Sequence, residues 1–155
     1  MNVNFKKENP KSIMPRKAHS SDGGYDLVSV AVKLEELDTM KNKDLLYVEY
    51  DTGISVEIPT GFVGKVYARS SISNTGWSLA NGVGIIDSGY RGTIKLRFVP
   101  NNSTTPKSRI VDLPYGLNQK IGQLMIEPSI NINFIQSERL TETVRSERGF
   151  GSTGN

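Results

Sequence analysis

The stretch Thr93-Ile94-Lys95-Leu96-Arg97-Phe98 carries an apolar side chain at every second position, between threonine, lysine and arginine. A second stretch, Ile54-Ser55-Val56-Glu57-Ile58, shows the same alternation. Successive side chains of a β-strand point to opposite faces, so a period of two predicts strands with one buried and one polar face. The two stretches favour an all-β fold. Further strands are predicted over residues 46–50, 62–69, 81–86, 121–127 and 130–135.

The segments between these strands are rich in turn-forming residues. Asp51-Thr52-Gly53 and Pro59-Thr60-Gly61 each separate one predicted strand from the next. Residues 100–116 carry three prolines and are predicted to form a long surface excursion. Evidence for helices is thin: residues 34–43 are polar with leucine spacing, and residues 71–75 offer one short turn. We therefore predict one distorted jelly-roll barrel domain over residues 1–136 and a flexible C-terminal arm over residues 137–155.

The composition excludes several kinds of active site. The 155 residues include no cysteine, which rules out disulfides, thiolate metal sites and cysteine nucleophiles. The single histidine, His19, lies in a polar stretch and is predicted to be a loop or strand-start residue with a structural hydrogen bond. We therefore expect any general base to be a carboxylate. Any bound metal is expected to be a hard, oxygen-ligated ion such as Mg²⁺.

The charge distribution argues against a nucleic-acid partner. Nineteen lysines and arginines face 16 acidic residues, and the resulting net charge of +3 is small and evenly spread. No apolar run reaches membrane-spanning length, and the first residues do not resemble a secretory signal. We expect a soluble intracellular protein, cytoplasmic or, in a eukaryotic or viral setting, nuclear. It is expected to bind neither nucleic acid nor membranes.

Asp87 is the leading candidate for a general base. It follows an apolar run ending at Ile86, so it is predicted to lie where a buried strand meets a turn. A carboxylate there can hold and deprotonate a water molecule. The alternative is an aspartate that only caps the turn. Tyr90, three residues on, can pack against a sugar and exclude a ribose 2′-hydroxyl, although spacing alone favours a core tyrosine with a bonded hydroxyl.

Donors suited to phosphate oxygens occur at two places. Arg69-Ser70-Ser71 follows a predicted strand and offers a guanidinium, two hydroxyls and turn amides. A plain turn with a surface arginine fits the same tripeptide. Gln123 is a polar amide inside an apolar strand, where it either pairs with neighbouring backbone or reaches a ligand.

The C-terminal glycines formally match a dinucleotide-binding fingerprint, Gly149-x-Gly151-x-x-Gly154, but no strand precedes them. A glycine-rich arm that carries Phe150 is better interpreted as a lid. Such a lid closes over a base by stacking and over phosphates through backbone amides. Arg145 and Arg148 add positive charge to the arm. The alternative interpretation is a frayed terminus.

Together these residues resemble the five ordered motifs of the homotrimeric dUTP pyrophosphatases (dUTPases). In order, the matching segments are Gly24-Tyr25-Asp26-Leu27, Ala68-Arg69-Ser70-Ser71, residues 81–92, Lys120-Ile121-Gly122-Gln123-Leu124 and residues 145–154. One motif alone is weak evidence, whereas five in order over nearly the whole chain are specific. The resemblance implies hydrolysis of dUTP to dUMP and pyrophosphate by attack of water on the α-phosphorus. That reaction keeps uracil out of DNA and supplies dUMP for thymidylate synthesis.

The resemblance also implies roles for individual residues. Asp87 would position and deprotonate the water, and Tyr90 would pack under the deoxyribose. Asp26 would support a Mg²⁺ ion indirectly, through water, while the triphosphate itself mainly ligates the metal. Uracil would be read by the backbone at Asn81, Gly84, Ile85 and Ile86 together with Lys95. Phosphates would be held by Arg69, Ser70, Ser71 and Gln123, and the arm would add Arg145, Phe150, Gly151, Ser152 and Thr153, with Phe150 stacked on uracil.

In such a homotrimer three subunits share each site. The first, second and fourth motifs would come from one subunit, the third from its neighbour and the arm from the remaining one. This chain departs from the family pattern in places. Gly89 stands where many members have a second acid, and Ser71, Asn118, Ser146 and Arg148 replace glycines.

Two other functions fit the same type of fold. The related dCTP deaminases use a glutamate in the corresponding hairpin, and residues 81–92 contain none. A binding or regulatory protein would hold a nucleotide without turning it over. The retention of Asp87, Tyr90, Arg145 and Phe150 argues against that second alternative.

Overall fold

A computed structural model of the chain describes residues 1–39, 42–101 and 113–147, and the side chains within that part except those of residues 35–46. Ten strands and one 3₁₀ helix make up its regular structure. The strands are β1 (Asn4–Lys7), β2 (Tyr25–Val28), β3 (Ala31–Thr39), β4 (Asn42–Asp51), β5 (Ile54–Glu57), β6 (Phe62–Ala68), β7 (Trp77–Leu79), β8 (Gly84–Ile86), β9 (Lys95–Pro100) and β10 (Lys120–Pro128). The 3₁₀ helix, Ser70–Asn74, follows β6. The predicted all-β fold is confirmed.

The described strands form three antiparallel sheets. The four-stranded sheets have the orders β2-β10-β6-β8 and β3-β4-β9-β7, and β1 pairs with β5 in a two-stranded sheet. Many neighbours in these sheets are far apart in sequence, as in β10 beside β2 and β9 beside β4. This crossing of connections is typical of a jelly roll rather than of a simple meander.

The core lies between the two larger sheets. The inward residues of β9, Leu96 and Phe98, are buried as the alternation predicts. The ring of Phe98 meets the rings of Tyr50 and Tyr115 edge to face, at centroid distances of 5.9 and 5.5 Å. The Tyr50 hydroxyl donates to the Tyr115 carbonyl oxygen at 2.6 Å, which satisfies a polar group that burial otherwise leaves unpaired.

One prediction of local structure is wrong, and one weak helical pattern is overridden. The leucine spacing of residues 34–43 is thin evidence for a helix, and the described part of that stretch, residues 34–39 and 42–43, belongs to β3 and β4, where backbone pairing outweighs the pattern. Residues 130–135 form no strand. Their alternating Ile130, Ile132 and Phe134 side chains are 82%, 66% and 94% exposed, because the chain leaves the barrel after β10 and meets no partner strand there.

Other local predictions are confirmed. His19 lies in a loop, and its backbone N–H donates to the Asp22 carboxylate at 2.8 Å. The predicted short turn after β6 is the 3₁₀ helix. Asn118 and Ser146, which replace glycines of the family pattern, keep the left-handed backbone that favours glycine, at φ values of 61° and 45°. Most of the long surface excursion predicted over residues 100–116 falls within residues 102–112, outside the described residues.

Candidate functional site

A cavity of about 540 Å³, the hairpin cavity, lies between β9 and the segment that contains β8, residues 81–92 (the β8 hairpin). That size is within the range of small-molecule sites. All seven residues predicted for base reading, sugar packing and water activation line it. These residues are Asn81, Gly84, Ile85, Ile86, Asp87, Tyr90 and Lys95.

Strand β8 forms the edge of its sheet. Residues Gly84–Ile86 pair with β6 on one side only, so their other backbone edge is available for hydrogen bonds. The prediction that this strand is buried is wrong, since Ile85 is 57% exposed. An edge strand has only one neighbour to cover it. The same position gives the cavity backbone donors and acceptors that a planar base can pair with.

Asp87 directly follows β8 and begins a tight turn. The backbone N–H of Tyr90 donates to the Asp87 carbonyl oxygen at 3.0 Å, which closes the turn. The exposed Asp87 carboxylate makes no hydrogen bond or ion pair with any described residue. The turn is therefore closed by backbone rather than by the side chain, and the carboxylate remains available on the cavity wall.

Spacing alone favours a core position for Tyr90, but the structure places it at the surface. It is 43% exposed and its hydroxyl donates to the Thr93 carbonyl oxygen at 3.0 Å. A Cβ atom at Gly92 would overlap the Tyr90 hydroxyl, so glycine is needed there for the ring to take this position. The ring thus presents a fixed flat surface to the cavity.

Opposite the hairpin, the cavity floor is charged. Glu49 of β4 accepts hydrogen bonds from Arg97 Nε at 2.7 Å and Lys95 Nζ at 3.2 Å, both of β9. Lys95 Nζ also lies 3.7 Å from the Asp51 carboxylate. Burial of Glu49 opposes ionisation, but these two cations outweigh it and hold the pKa of Glu49 below its usual value. Lys95 is thereby fixed at the cavity.

A second group of charges surrounds Asp26 on β2. Its carboxylate is buried and lies 2.7 Å from Lys120 Nζ and 3.6 Å from Arg69 Nε, and it accepts from Gln123 Nε2 at 3.2 Å. Burial raises the pKa of Asp26, but the donors outweigh that effect and the net shift is downward. Asp26 thus holds together three groups suited to phosphate oxygens.

The serines after β6 extend this group. Ser71 Oγ is buried and has no hydrogen-bond partner among the described residues. It lines a cavity of about 390 Å³ together with Arg69, Lys120 and Tyr115. The exposed Ser70 lies at the start of the 3₁₀ helix, where its carbonyl oxygen accepts from Ser73. The structure thus brings Arg69, Ser71 and Gln123 to the Asp26 cluster.

The Asp26 cluster and the hairpin cavity that contains Asp87 lie apart in one chain. Strands β2 and β8 are opposite edges of the same sheet. Ile86 pairs with Gly64, and Arg69 lies five residues further along, roughly 16 Å at the usual strand rise. Residues predicted to contact one triphosphate are therefore divided between two places on the subunit.

Of the arm residues predicted to contact the nucleotide, Arg145 is described and exposed. Phe150, Gly151, Ser152 and Thr153, like Arg148, lie outside the described residues.

Sequence reasoning did not select Glu49, Arg97 and Lys120. Lys120 opens the fourth motif, and Arg97 alternates with Leu96 and Phe98, so a search for charges on the outer face of β9 would have found it. Glu49 becomes visible only through the strand register, in which it pairs with Arg97.

The described residues include no group of three or more histidine, cysteine or acidic side chains that could enclose a metal ion. Both oxygens of the Asp26 carboxylate face cationic or amide donors, so a metal would fit there only through bound water. No helix in the described part of the chain has the length and apolar character needed to cross a bilayer.

The two buried carboxylates predict an acid-sensitive fold. Because their folded-state pKa values lie below the ordinary 3.8 of Asp26 and 4.5 of Glu49, their stabilisation is complete above about pH 5. It is lost as the pH falls through the lowered values. We expect the unfolding midpoint to decline below pH 4, and Asp26→Asn to remove part of that decline. The midpoint of thermal unfolding, recorded from pH 7 to pH 3, measures this decline, with Asp22→Asn as the matched control. If the midpoint of Asp26→Asn falls with pH as steeply as that of the unaltered protein, Asp26 is not the source of the acid sensitivity.

Comparison with known proteins places these features in context. The dUTPase family profile matches residues 10–154. A deoxyuridine 5′-triphosphate nucleotidohydrolase of Clostridium novyi is 34% identical over 155 residues, which span 99% of each chain. The Staphylococcus bacteriophage 80alpha dUTPase, solved with dUPNHPP, is 25% identical and has a TM-score of 0.73 over 99% of both chains. A mutant dUTPase from phage phi11 of S. aureus, which coordinates a structural Mg(II) ion, shares the fold at 24% identity and a TM-score of 0.67 over 90% of this chain and 98% of that one.

Proposed function

Since this chain belongs to the dUTPase family and is a deoxyuridine 5′-triphosphate nucleotidohydrolase, we propose that Asp87 is its general base. The carboxylate takes a proton from a water molecule that attacks the α-phosphorus, and dUMP and pyrophosphate are released. The observation that carries this assignment is the unpaired Asp87 carboxylate on the wall of the hairpin cavity. A base engaged in an ion pair is poorly placed to receive a proton, whereas this one is free among the described residues.

The hairpin cavity is proposed to bind the nucleoside. Uracil pairs with the open backbone edge of β8, where Gly84, Ile85 and Ile86 offer donors and acceptors in a fixed order. Asn81 and Lys95 lie on the same wall. Tyr90 packs under the deoxyribose, and its ring, anchored through Thr93, fills the space that a ribose 2′-hydroxyl requires.

The Asp26 cluster is proposed to bind the phosphates. Arg69, Gln123 and the serines Ser70 and Ser71 supply donors for the chain of phosphate oxygens, and Lys120 adds a second cation. A Mg²⁺ ion bound by the triphosphate would supply charge neutralisation there. Asp26 would support that ion indirectly, through water, while it keeps the cations in place. Arg145, Phe150, Gly151, Ser152 and Thr153 of the arm are proposed to cover the bound nucleotide, with Phe150 stacked on uracil.

Each site is proposed to need more than one subunit, in a homotrimer. The roughly 16 Å between the level of Ile86, which pairs with Gly64, and Arg69 after β6 supports this, because one nucleotide is proposed to contact both groups. The exposed Ile130, Ile132 and Phe134 side chains support it as well. Apolar runs of this kind usually mark a protein interface. Substrate and products are nucleotides, which supports the expected intracellular location.

The deaminase alternative receives one new observation, since Glu49 lies at the hairpin cavity. Its pKa is lowered by Arg97 and Lys95 once the opposing effect of burial is overcome, so it stays ionised at neutral pH. An ionised carboxylate paired with two cations is unsuited to donate a proton. Release of ammonia from dCTP would contradict this interpretation.

Substrate selectivity is expected to follow the geometry. Pyrophosphate release should be fast with dUTP and at least about 10²-fold slower with dTTP, dCTP or UTP, because each analogue loses a hydrogen bond or gains a clash. Chelation of Mg²⁺ should lower the rate with dUTP. A single panel of the four nucleotides, with and without Mg²⁺, measures both effects. Comparable rates with dUTP and UTP would remove the sugar-packing role of Tyr90.

A further inference from the structure

Arg91 reaches back over the turn that contains Asp87. Its Nη1 donates to the carbonyl oxygens of Ser88 at 2.7 Å and Tyr90 at 2.9 Å. The guanidinium therefore bridges two peptide groups of the segment between Asp87, the proposed base, and Tyr90, which is proposed to pack under the deoxyribose. Charge-assisted bonds of this type are stronger than bonds between neutral groups.

These hydrogen bonds stabilise a turn with a flexible centre. Gly89, one of its two central residues, has no side chain, and a Cβ built there would contact nothing within 4 Å. Glycine is the most flexible residue of the backbone, so the turn is not stiffened from within. The hydrogen bond from the Tyr90 backbone N–H to the Asp87 carbonyl oxygen closes the turn at one point. Arg91 pairs with the next carbonyl, that of Ser88, and with that of Tyr90.

Arg91 is in turn anchored outside the cavity. Its Nη2 lies 3.5 Å from Glu57 Oε1 on β5, and Glu57 Oε2 accepts from Asn4 Nδ2 at 2.9 Å. Asn4 and Glu57 are direct partners in the β1–β5 sheet. A continuous set of contacts thus runs from the N-terminal strand through Glu57 and Arg91 to the Asp87 turn.

We infer that Arg91 is a positioning residue, which holds the Ser88 and Tyr90 carbonyls so that the Asp87 carboxylate faces the reacting water. This inference rests on the proposed role of Asp87. Displacement of a catalytic group by about 1 Å can cost on the order of 10²-fold in rate. Arg91 is not among the residues that line the hairpin cavity, and its side chain is 54% exposed, so its removal changes the placement of Asp87 rather than the binding groups.

Arg91→Ala is the direct test, with pyrophosphate release from dUTP as the readout. We expect kcat to fall by roughly 10- to 10²-fold while KM changes by less than about threefold. Added guanidinium ion at concentrations below those that denature should partly restore kcat. Glu57→Gln, which weakens the anchor, should give a smaller loss. The double variant should be no worse than Arg91→Ala, because both changes act on one set of contacts.

Lys6→Met is the matched control. Lys6 lies on β1 of the same two-stranded sheet and forms its ion pair with Glu8, at 2.9 Å, rather than with Glu57, so turnover should be unchanged. Undiminished kcat in Arg91→Ala, or a loss that guanidinium does not relieve, overturns the positioning role. If Arg91→Ala keeps full turnover while Asp87→Asn is inactive, only this inference fails. Full turnover in Asp87→Asn instead removes the proposed function on which it rests.

Discussion

Asp87→Asn is expected to lower kcat for dUTP by roughly 10²- to 10⁴-fold, the usual contribution of a positioned general base. Asparagine has nearly the same shape as aspartate but cannot accept the proton. The Asp87 carboxylate makes no bond to a described residue, and the turn is closed by the Tyr90 backbone, so the fold should be unaffected. Turnover is measured as pyrophosphate release, and the fold by thermal unfolding.

The control for this substitution is Asp22→Asn, which makes the same chemical change in the N-terminal loop. Asp22 accepts from the His19 backbone and takes no part in the cavity. Binding of a non-hydrolysable dUTP analogue separates chemistry from recognition. Asp87→Asn should bind it about as tightly as the unaltered protein, since base, sugar and phosphates are held by other groups. Turnover near that of the unaltered protein would exclude Asp87 as the base.

Local chemistry was predictable from the sequence where a single segment determines it. The alternation from Ile94 to Phe98 predicted a strand with Leu96 and Phe98 inside, and both are buried. The glycines and the tyrosine after Asp87 predicted a turn, and the hydrogen bond from the Tyr90 N–H to the Asp87 carbonyl oxygen closes it. In such segments the strand period and the turn residues act within a few positions of one another, so the printed sequence contains the whole signal.

Features that depend on strand order were not predictable in this way. The apolar run before Asp87 suggested a buried strand, yet β8 is an edge strand because only β6 lies beside it. Likewise, the pairing of Glu49 with Arg97 joins positions 48 residues apart and exists only through the β4–β9 register. Residues 130–135 show the reverse case. Their alternation is strand-like, but a strand forms only where a partner edge is present, and the described residues of this subunit offer none to them.

Removal of the arm after Ser137 is expected to abolish dUTP hydrolysis while the proposed homotrimer persists. Residues 138–147 are exposed and belong to no sheet, and the core side chains of the described residues precede them, so the barrel should stay folded. The arm is proposed to exclude water and to complete the phosphate contacts, and such closure commonly decides turnover. Turnover is measured with dUTP, and oligomeric state by sedimentation. An unchanged rate in the truncated protein would contradict the proposal that the arm closes over the bound nucleotide.

A mixing experiment then asks whether the arm serves a neighbouring subunit. Truncated chains retain Asp87 but lack the arm, and full-length Asp87→Asn chains have the arm but lack the base. Each preparation alone should be inactive. When the two are unfolded together and reassembled, mixed trimers contain sites in which an intact Asp87 is covered by the arm of another chain, and activity should return. If each arm instead closes over the Asp87 of its own chain, no site in the mixture holds both parts and the activity stays absent.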